Sequence, residues 1–451
     1  MKGNGQQGPL AGLRIIDSNT MVAMPTGMHI LADMGAEVVK VDSHTVFRTE
    51  EARVIYADND PGDQPWNREG SFNTLQRSKL GVTLNLKTPQ GIELFKELVA
   101  ISDVLVENNR AGTMERLGLG YDEMKKIRPD LIYVSNTGFG HTGPWRRYAG
   151  IGRMFELTCG LSQFTGYTDE GPRRVGKAFF DLHVGWMVVF AIMSALHHRQ
   201  KTGRGQWIDF AMYQVGVSTM GDAVLDFIAN GRNGKTMGNR HPSIAPHGVY
   251  PCKGDDKWVA ISCENDQQWE SLVTAMGSPS WATDEKFSDS LARWKNQDEL
   301  DKNISQWTRH FENLKLTHML QGVGLPAMAV MNSRELLTDE HMKARGFYEK
   351  VEHPAETKIG TKLYFGRPWK MSKTPSFIRR PAPNLGEHNE EIIGDLLGRS
   401  RQEMERLYEL GVCGTVPDIK PTYKPPSYDQ QMQEGTLTAI DTDYRKILGL
   451  E

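Results

Sequence analysis

The chain has 451 residues, more than a single hydrophobic core usually organises, so we expect two or more domains. Hydrophobic residues make up 39% and charged residues 24% of the chain, as in ordinary soluble globular proteins. The formal net charge of −3 argues against a nucleic-acid-binding or membrane-binding surface, so we expect neither partner.

The first half of the chain alternates predicted strands and helices. It opens with the polar, glycine-rich segment MKGNGQQGPLAG, which lacks the apolar run of a signal peptide. Strands are predicted at LRIIDSNT, VVKV, GVTLNLK, DVLVEN and LIYVSNTGFG, with helices at TGMHILADMG, TPQGIELFKELVAIS and YDEMKKIRPD between them. This alternation predicts an α/β fold whose mostly parallel sheet is covered by helices on both faces.

The next segment is strongly apolar. Residues Gly185 to Leu196 include no charged side chain. It is too short to span a bilayer, so we interpret it as a buried core helix of a cytoplasmic protein. Asp181 precedes it by four residues and has two interpretations. It is either a helix N-cap or first-turn acid, or a partly desolvated carboxylate that acts as a nucleophile, and the residues alone leave both open. Further carboxylates at predicted strand ends are Asp17, Asp42 and Glu107.

The second half of the chain begins with a change of composition. Residues 229–252 are rich in Gly, Pro, Asn and His and predict a linker that leads into a loop. A strand and a helix of a smaller domain are predicted at GDDKWVAISCENDQQWESLVTAMG. The Pro- and Tyr-rich tail PTYKPPSYDQQ is predicted to be extended.

Cofactor and metal motifs are incomplete in this sequence. GFGHTG at 138–143 follows a strand, but Pro144 comes next and no acid ends a second strand, so we interpret it as a loop over a ligand. GKT at 234–236 has Ala229 where a phosphate-binding loop has glycine. The four cysteines form no CxxC pair and the histidines lack ligand spacing, so we expect no metal, no disulfide framework and a reducing compartment.

Six longer motifs occur in one order along nearly the whole chain. They are PLAGLRIIDSN with MPTGMHILADMGAEVVKVDS, RSKLGVTLNLKTPQG, the segment 102–145, RVGKAFFDLHVG with ALHHRQKTGRGQWIDFAM, GNRHPSIAPHGVYPCKGDDKWVAIS, and APNLGEHNEEIIGDLLG. In this order the motifs resemble the family III CoA-transferases, which include formyl-CoA and carnitine CoA-transferases.

The resemblance implies an architecture. A Rossmann-like large domain is made from both ends of the chain, a smaller α+β domain is inserted, and two subunits interlock as a homodimer or as a heteromer with a paralogous subunit. We therefore expect the large domain at 1–215, a linker at 216–235 and the small domain at 236–325. Residues 326–451 are expected to hold the return linker, the rest of the large domain and the extended tail.

The resemblance also implies a reaction in which Asp181 is the nucleophile. Its carboxylate attacks an acyl-CoA donor to form a mixed anhydride, and the CoA thiolate then forms an aspartyl-CoA thioester. A carboxylic acid acceptor attacks in turn and leaves as the new acyl-CoA. One thioester replaces another, so CoA is a substrate and no tightly bound cofactor is expected.

Binding residues carry over by matching motif positions. The positions implied to contact CoA are Asn19, Thr20, Met21, Val22, Ala23, Lys79, Asn108, Asn109 and Arg116. Cationic side chains suit the phosphates of CoA, although Lys79 and Arg116 are equally typical of a solvated surface. Substrate or loop contacts are implied for Gly140, Arg153, His241, His247 and Gly248.

The acceptor is suggested by residues around Asp181. Arg153 suits a second carboxylate, and four aromatic residues suit a bulky acyl group, unless they are ordinary core and surface. These aromatic residues are Phe155, Phe164, Phe179 and Phe180. Together with these residues, the resemblance implies succinyl-CoA as donor and benzylsuccinate, an acid of anaerobic aromatic degradation, as acceptor.

Two other functions remain open. One is an acyl-CoA racemase or isomerase of the same fold, although residues 151–153 lack the His-Asp pair that the resemblance implies for proton transfer in racemases of the family. The other is a non-catalytic CoA-binding subunit of a heteromeric transferase.

Overall fold

The computed structural model describes residues 8–45, 55–176 and 178–450, so most of the polar N-terminal segment lies outside the described residues. The chain divides into two compact units. The larger comprises Met1–Leu161, Gly176–Gly221 and Glu340–Glu451, and the smaller comprises Ser162–Val175 and Asp222–Asp339.

A six-stranded sheet forms the centre of the larger unit. Its strands are β1 (Arg14–Ser18), β2 (Glu37–Asp42), β3 (Leu80–Thr83), β4 (Val104–Glu107), β5 (Ile132–Thr137) and β6 (Gln206–Ala211). They lie in the order β3-β2-β1-β4-β5-β6, and every neighbouring pair is parallel. The predicted α/β fold with a parallel sheet is therefore confirmed.

Helices occupy most of the connections between these strands. In chain order to the end of β6 they are α1 (Ala23–Asp33), α2 (Pro65–Arg68), α3 (Gly70–Leu75), α4 (Pro89–Ala100), α5 (Thr113–Arg116), α6 (Tyr121–Ile127), α7 (Gly152–Thr158), α8 (Leu161–Phe164) and α9 (Phe179–Thr202). Helix α4 shows why they form here: Thr88 caps its start by accepting from the Gly91 N–H, and Leu94, Phe95 and Leu98 bury one face.

Helices α1 and α9 pack unusually close together. A Cβ atom on Gly185 would lie 2.6 Å from the Thr26 Cβ and 2.7 Å from the Ala23 carbonyl oxygen, and one on Gly27 would lie 2.7 Å from the Gly185 carbonyl oxygen. Real Cβ atoms do not approach backbone this closely, so glycine is required on both helices. The contact holds the first turns of α9 beside the start of α1.

The prediction of a buried core helix at 185–196 holds for one side of α9 and is wrong for the other. Val184, Val188 and Ile192 are buried at helical spacing, whereas Phe190 is 69% exposed on the other side. The sequence does not predict which side of the helix is exposed, because both sides are apolar. By length and composition alone α9 would also suffice to cross a membrane, a property that core helices of soluble proteins share.

The smaller unit contains a three-stranded antiparallel sheet, β7 (His247–Pro251), β8 (Trp258–Ser262) and β9 (Ala327–Ala329), in that order. Helix α10 (Met212–Ser218) still belongs to the larger unit. The helices that follow it, up to the end of the smaller unit, are α11 (Gly221–Asn230), α12 (Asp266–Ala275), α13 (Ser290–Lys295), α14 (Gln297–Thr308), α15 (Asn313–Gly322) and α16 (Ser333–Thr338). Apolar residues of α12, α14 and α15 pack with the sheet in one core around Trp269, Leu300 and Leu316.

The smaller unit is more extensive than the small domain expected at 236–325. Helix α11 lies within the expected linker at 216–235, and from Asp222 onward it belongs to the smaller unit. Residues 162–175 belong to it as well, because the Gly238 N–H donates to the Gly166 carbonyl (3.0 Å) and the Thr236 hydroxyl to the Tyr167 carbonyl (3.2 Å).

The C-terminal part of the chain returns to the larger unit. After α17 (Glu340–Ala344) it forms the hairpin β10 (Tyr348–Glu352) and β11 (Thr361–Phe365), a π-helix at Glu390–Leu396 and α18 (Arg401–Glu409). Asn389 accepts from the Thr83 N–H of β3 at 2.9 Å, which attaches this part to the edge of the sheet. The tail is not wholly extended, because it forms α19 (Tyr428–Gln433), capped by Ser427, and α20 (Tyr444–Ile447).

Candidate active site

The strand order reverses direction between β1 and β4, so the loops that follow these two strands leave on opposite sides. Ligands of open α/β sheets bind in the crevice at this point, beyond the carboxyl ends of the strands. The two loops are joined here by a reciprocal pair of hydrogen bonds. The Thr20 N–H donates to Asn108 Oδ1 at 3.0 Å, and Asn108 Nδ2 donates to the Thr20 carbonyl at 2.8 Å.

The loop 19–23 presents part of its length to solvent. Thr20 and Met21 are exposed, Val22 precedes α1 as its cap residue, and Ala23 begins the helix and is buried. Met21 has a φ of 65°, a left-handed conformation that costs energy for a residue with a side chain. Asn19 is buried, and both polar atoms of its amide lack hydrogen-bond partners within the described residues.

Lys79 lies beneath this loop. It is fully buried, and its Nζ donates to Asp17 Oδ2 and to Gln76 Oε1, each at 2.7 Å. The expectation that Lys79 contacts CoA therefore does not fit its placement, because its ammonium group donates to Asp17 and Gln76 inside the protein. Asp17 in turn accepts from the Asn19 N–H at 3.1 Å, so the ion pair supports the loop from below.

Electrostatics keep this buried pair charged. Burial alone would raise the pKa of Asp17, but the positive charges of Lys79 and Lys40 outweigh burial and hold that pKa below its ordinary value. Lys40 also donates to the Asn19 carbonyl and lies 3.0 Å from Asp42. Two of the strand-end carboxylates considered as nucleophiles, Asp17 and Asp42, are thus committed to ion pairs.

The third of those carboxylates, Glu107, supports the other loop. It is buried and accepts from the Asn109 backbone N–H at 2.7 Å and from Asn109 Nδ2 at 3.1 Å. Burial raises the pKa of Glu107 despite these bonds. Arg116, at the end of α5, is exposed and donates to Thr113 Oγ1 at 3.1 Å, so its guanidinium remains accessible to a phosphate.

Asp181 lies in the first turn of α9, where the helix dipole favours a negative charge. It is not the cap, because Ala178 occupies that position. The half-buried carboxylate lies directly against the backbone of Gly152, where an added Cβ would overlap both carboxylate oxygens. A glycine at 152 therefore leaves room for Asp181.

The remaining predicted residues of the larger unit lie on nearby loops and helices. Gly140 has a φ of +86°, and its N–H donates to Thr137 Oγ1 at 2.8 Å, so GFGHTG is a loop after β5, as interpreted. The next residue, His141, pairs with Asp209 at 3.2 Å. Arg153 is exposed.

The aromatic residues proposed around Asp181 differ in their placement. Phe155 and Phe180 are buried in one apolar cluster, so they are core residues and do not line an open pocket. Phe179 is exposed, and Phe164 belongs to the smaller unit. The exposed rings Trp145 and Tyr148, which the sequence did not single out, stack at 6.0 Å.

His241, His247 and Gly248 all belong to the smaller unit. A groove of about 450 Å³ there is lined by His247 and Gly248. The rings of His241 and His247 have centroids 5.4 Å apart, and His247 Nδ1 lies 3.0 Å from Ser262 Oγ. Ser262 was missed because its position opposite His247 depends on the register of β7 and β8. Within the described residues no group of three metal-binding side chains occurs.

Comparison with known proteins identifies the family. The profile of CoA-transferase family III matches residues 10–389. The succinyl-CoA–D-citramalate CoA-transferase of Chloroflexus aurantiacus is 33% identical over 399 residues, which cover 88% of this chain and 96% of that protein. The beta subunit of the succinyl-CoA–L-malate CoA-transferase of the same organism is 33% identical over 408 residues, with the same two coverages of 88% and 96%.

A solved structure agrees with the sequence relatives. The CAIB/BAIF family protein from Brucella suis superposes with a TM-score of 0.77 at 33% identity, covering 87% of this chain and 100% of that one. The family match runs without interruption from β1 through Asp181 and the strands of the smaller unit. The chain therefore belongs to CoA-transferase family III and is a CoA-transferase, an enzyme whose substrates are CoA thioesters.

Proposed function

We propose that this enzyme transfers CoA from succinyl-CoA to a dicarboxylic acid through covalent chemistry on Asp181. The observation that carries the proposal is the placement of this carboxylate in the first turn of α9, packed against Gly152 and fixed to the start of α1 by the Gly185 contact. The loop 19–23, at the end of the crevice, leads directly into α1. Both relatives named above take succinyl-CoA and a dicarboxylic acid according to their names.

Each step exchanges one acyl bond for another. An oxygen of Asp181 attacks the thioester carbonyl of succinyl-CoA, which gives a mixed anhydride and releases the CoA thiolate. The thiolate attacks the aspartyl carbonyl, which gives the aspartyl-CoA thioester and free succinate. The acceptor carboxylate then attacks this thioester, forming a second anhydride and releasing the thiolate again. The thiolate attacks the acceptor's carbonyl, so the new acyl-CoA leaves and the Asp181 carboxylate is restored.

The residues around the crevice have separate roles in this scheme. Arg116 pairs with a phosphate of CoA, while Asn108 and Asn109 hold the loop after β4 in shape. The ion pair of Lys79 with Asp17 positions the loop 19–23 without touching CoA. The missing side chain at Gly152 leaves room for the Asp181 carboxylate, which packs directly against this glycine.

Benzylsuccinate is the acceptor that we propose within the class of dicarboxylic acids. Support comes from the exposed apolar residues Trp145, Tyr148 and Met154, which flank Gly152 in the sequence, the glycine that contacts Asp181. An aromatic substituent on the acceptor would bury this surface. A panel of succinyl-CoA acceptors tests the assignment: benzylsuccinate should react with a higher kcat/KM than malate or citramalate, and the reverse order contradicts it.

Assembly is a further part of the proposal. Both units expose apolar helix residues, Phe190 on α9 in the larger and Ile228 on α11 in the smaller. These surfaces suit an interlocked dimer in the cytoplasm, either of two identical chains or with a paralogous subunit. The beta-subunit relative supports the second arrangement. In a heteromer this chain would be either the catalytic or the CoA-binding subunit, and the next experiment distinguishes the two.

Substitution of Asp181 by Asn tests the role of the carboxylate. The change preserves shape but removes the nucleophilic oxygen anion, so CoA transfer should fall by several orders of magnitude while CoA still binds. Asp222→Asn, at the start of α11, is the matched control and should leave transfer unchanged. Substantial turnover by the Asp181→Asn variant in the complete assembly would contradict the proposal and favour a non-catalytic subunit.

A further inference from the structure

The C-terminal tail is a part of the larger unit to which the family match assigns no role. The profile of CoA-transferase family III ends at residue 389, whereas α19 and α20 lie well beyond it. We call residues 426–450, which contain both helices, the C-terminal strap. The chain reaches the strap past the carboxyl end of β2, where the Asp418 N–H donates to the His44 carbonyl at 2.9 Å. The role of the strap must therefore be inferred from its contacts.

The first helix of the strap contacts Asn59, in the connection between β2 and β3. Asn59 Nδ2 donates to the Pro426 carbonyl at 2.9 Å, and Asn59 Oδ1 accepts from Gln431 Nε2 at 3.2 Å. Asn59 and its neighbour Asp58 have φ values of 56° and 55°, a left-handed conformation that costs energy for residues with a side chain. The strap therefore binds a turn whose conformation needs support from outside it.

The second helix of the strap contacts Asp58. Its carboxylate accepts from the Tyr444 hydroxyl at 3.0 Å and, through both oxygens, from Arg445 Nη2 at 2.7 and 2.8 Å. Partial burial alone would raise the pKa of Asp58, but the hydrogen bonds from Arg445 and Tyr444 outweigh burial and hold that pKa below its ordinary value. Both charged side chains remain partly exposed, so this contact can be broken without loss of core packing.

The turn that the strap binds is attached to the segment that leads into α3. Arg68, which is buried, donates to the carbonyls of Ala57 at 3.2 Å and of Asp60 at 3.0 Å. The next residue, Glu69, caps α3 by accepting from the Ser71 N–H at 2.9 Å. The position of the turn and the position of α3 are therefore linked.

Helix α3 ends beside the ion pair that supports the loop 19–23. Gln76, its C-terminal cap residue, accepts from Lys79, and Lys79 in turn pairs with Asp17, each at 2.7 Å. Asp17 holds the first N–H of the loop. Hydrogen bonds and ion pairs of the larger unit thus connect the strap to the loop at the crevice.

We propose that the C-terminal strap positions the segment 56–79, and through it the loop 19–23, so that the enzyme binds CoA thioesters more tightly when the strap is docked. Asp58 is then a positioning residue, because it contacts the strap and not the substrate. The inference rests on the placement of CoA in the crevice at the ends of β1 and β4, and it does not depend on the reaction at Asp181. Because coupling is reciprocal, bound CoA must strengthen docking of the strap by the same factor.

A double-mutant cycle on Asp58 and Arg445 tests the proposal in the full-length protein, with CoA as the probe and calorimetric titration as the readout. Asp58→Asn keeps a side chain that tolerates positive φ, and Arg445→Ala removes the cation. Each should weaken CoA binding about fivefold, at the lower end of the range for coupled sites, because the pair is partly exposed. The double variant should bind CoA no more weakly than the weaker single variant, because all three lack the same contact.

Lys446→Asp is the matched control. It reverses the charge of the exposed residue next to Arg445 in α20 and should leave CoA affinity unchanged. Hydrogen exchange provides a readout that a purely structural role of the pair would not change. CoA should slow exchange of the backbone amides of residues 427–447 in the unaltered protein and in the control, but not in Asp58→Asn. Urea unfolding checks that each variant retains the fold.

Unchanged CoA affinity in both single variants, or losses that multiply in the double variant, overturns the inference. Exchange in the strap that CoA does not slow in the unaltered protein overturns it as well. Arg116→Ala distinguishes these results from a failure of the crevice placement, because it should weaken CoA binding even when the strap variants do not.

Discussion

At the scale of single residues, burial separates groups that position the site from groups that can bind a ligand. Lys79 and Arg116 looked alike in the sequence, since either could be a phosphate ligand or a solvated side chain. The structure places Lys79 in a buried pair with Asp17 and leaves Arg116 exposed beside the crevice. No local pattern distinguishes the two, because burial of Lys79 depends on the packing of distant segments.

Lys79→Met should destabilise the protein. It leaves the Asp17 charge buried with only Lys40 nearby, and removal of one partner of a buried pair costs about 3–5 kcal/mol. Lys96→Met is the control, because Lys96 pairs with Glu93 at the surface, where a pair is worth about 1 kcal/mol or less. Chemical denaturation measures both losses, and equal losses would contradict the structural role of Lys79.

Arg116→Ala should weaken CoA binding by about 1–3 kcal/mol, the value of a hydrogen bond to a charged group. Calorimetric titration with CoA measures this change. Arg401→Ala, at the exposed start of α18, serves as the control for loss of a positive charge. A dissociation constant that does not change in the Arg116 variant would place this guanidinium away from the phosphates.

At the scale of elements, two glycines determine where Asp181 lies. Gly185 allows α9 to contact α1, and Gly152 leaves room for the carboxylate itself. The sequence predicted the strands and most helices of the larger unit, because their apolar periodicity is local. It did not predict the exposed side of α9, since apolar residues lie on both sides of this helix and the sequence does not show which of them are buried.

Gly185→Ala tests the contact between α1 and α9. The new Cβ would collide with backbone of Ala23, so the helices must separate, at a cost of about 1–3 kcal/mol. Displacement of Asp181 by even 1 Å should lower transfer by about a hundredfold. Ser194→Ala, on the exposed side of the same helix, should change neither stability nor rate appreciably. Full activity of the Gly185 variant would show that the contact is not needed.

At the scale of the whole molecule, the chain returns to the larger unit at Glu340, so that unit combines residues that are far apart in the sequence. The hairpin β10–β11 belongs to this returning part, and His353 follows β10. His353 is buried and its Nε2 lies 2.8 Å from the Tyr364 hydroxyl. Burial, with a smaller effect of Lys362, lowers the pKa of His353 to about 4. Such a value cannot be inferred from sequence, because it depends on long-range packing.

This depressed pKa predicts how stability depends on pH. Below pH 6.5 the unfolded chain protonates His353 while the folded chain does not, so the free energy of unfolding should fall between about pH 6.5 and pH 4. The contribution of this residue is on the order of 3 kcal/mol. In urea titrations across this pH range, His353→Gln should reduce the fall in the free energy of unfolding by that amount. His310→Gln, an exposed control, should not, and parallel curves for wild type and His353→Gln would contradict the assignment.

The central claim is that Asp181 becomes covalently linked during transfer. The most direct measurement is peptide mass spectrometry after brief mixing of the protein with succinyl-CoA, followed by hydroxylamine, which traps acyl anhydrides and thioesters as hydroxamates. A hydroxamate on the peptide that contains Asp181, absent when succinyl-CoA is omitted, is the predicted result. An unmodified Asp181 in an assembly that turns over, or modification of another carboxylate, would contradict the claim.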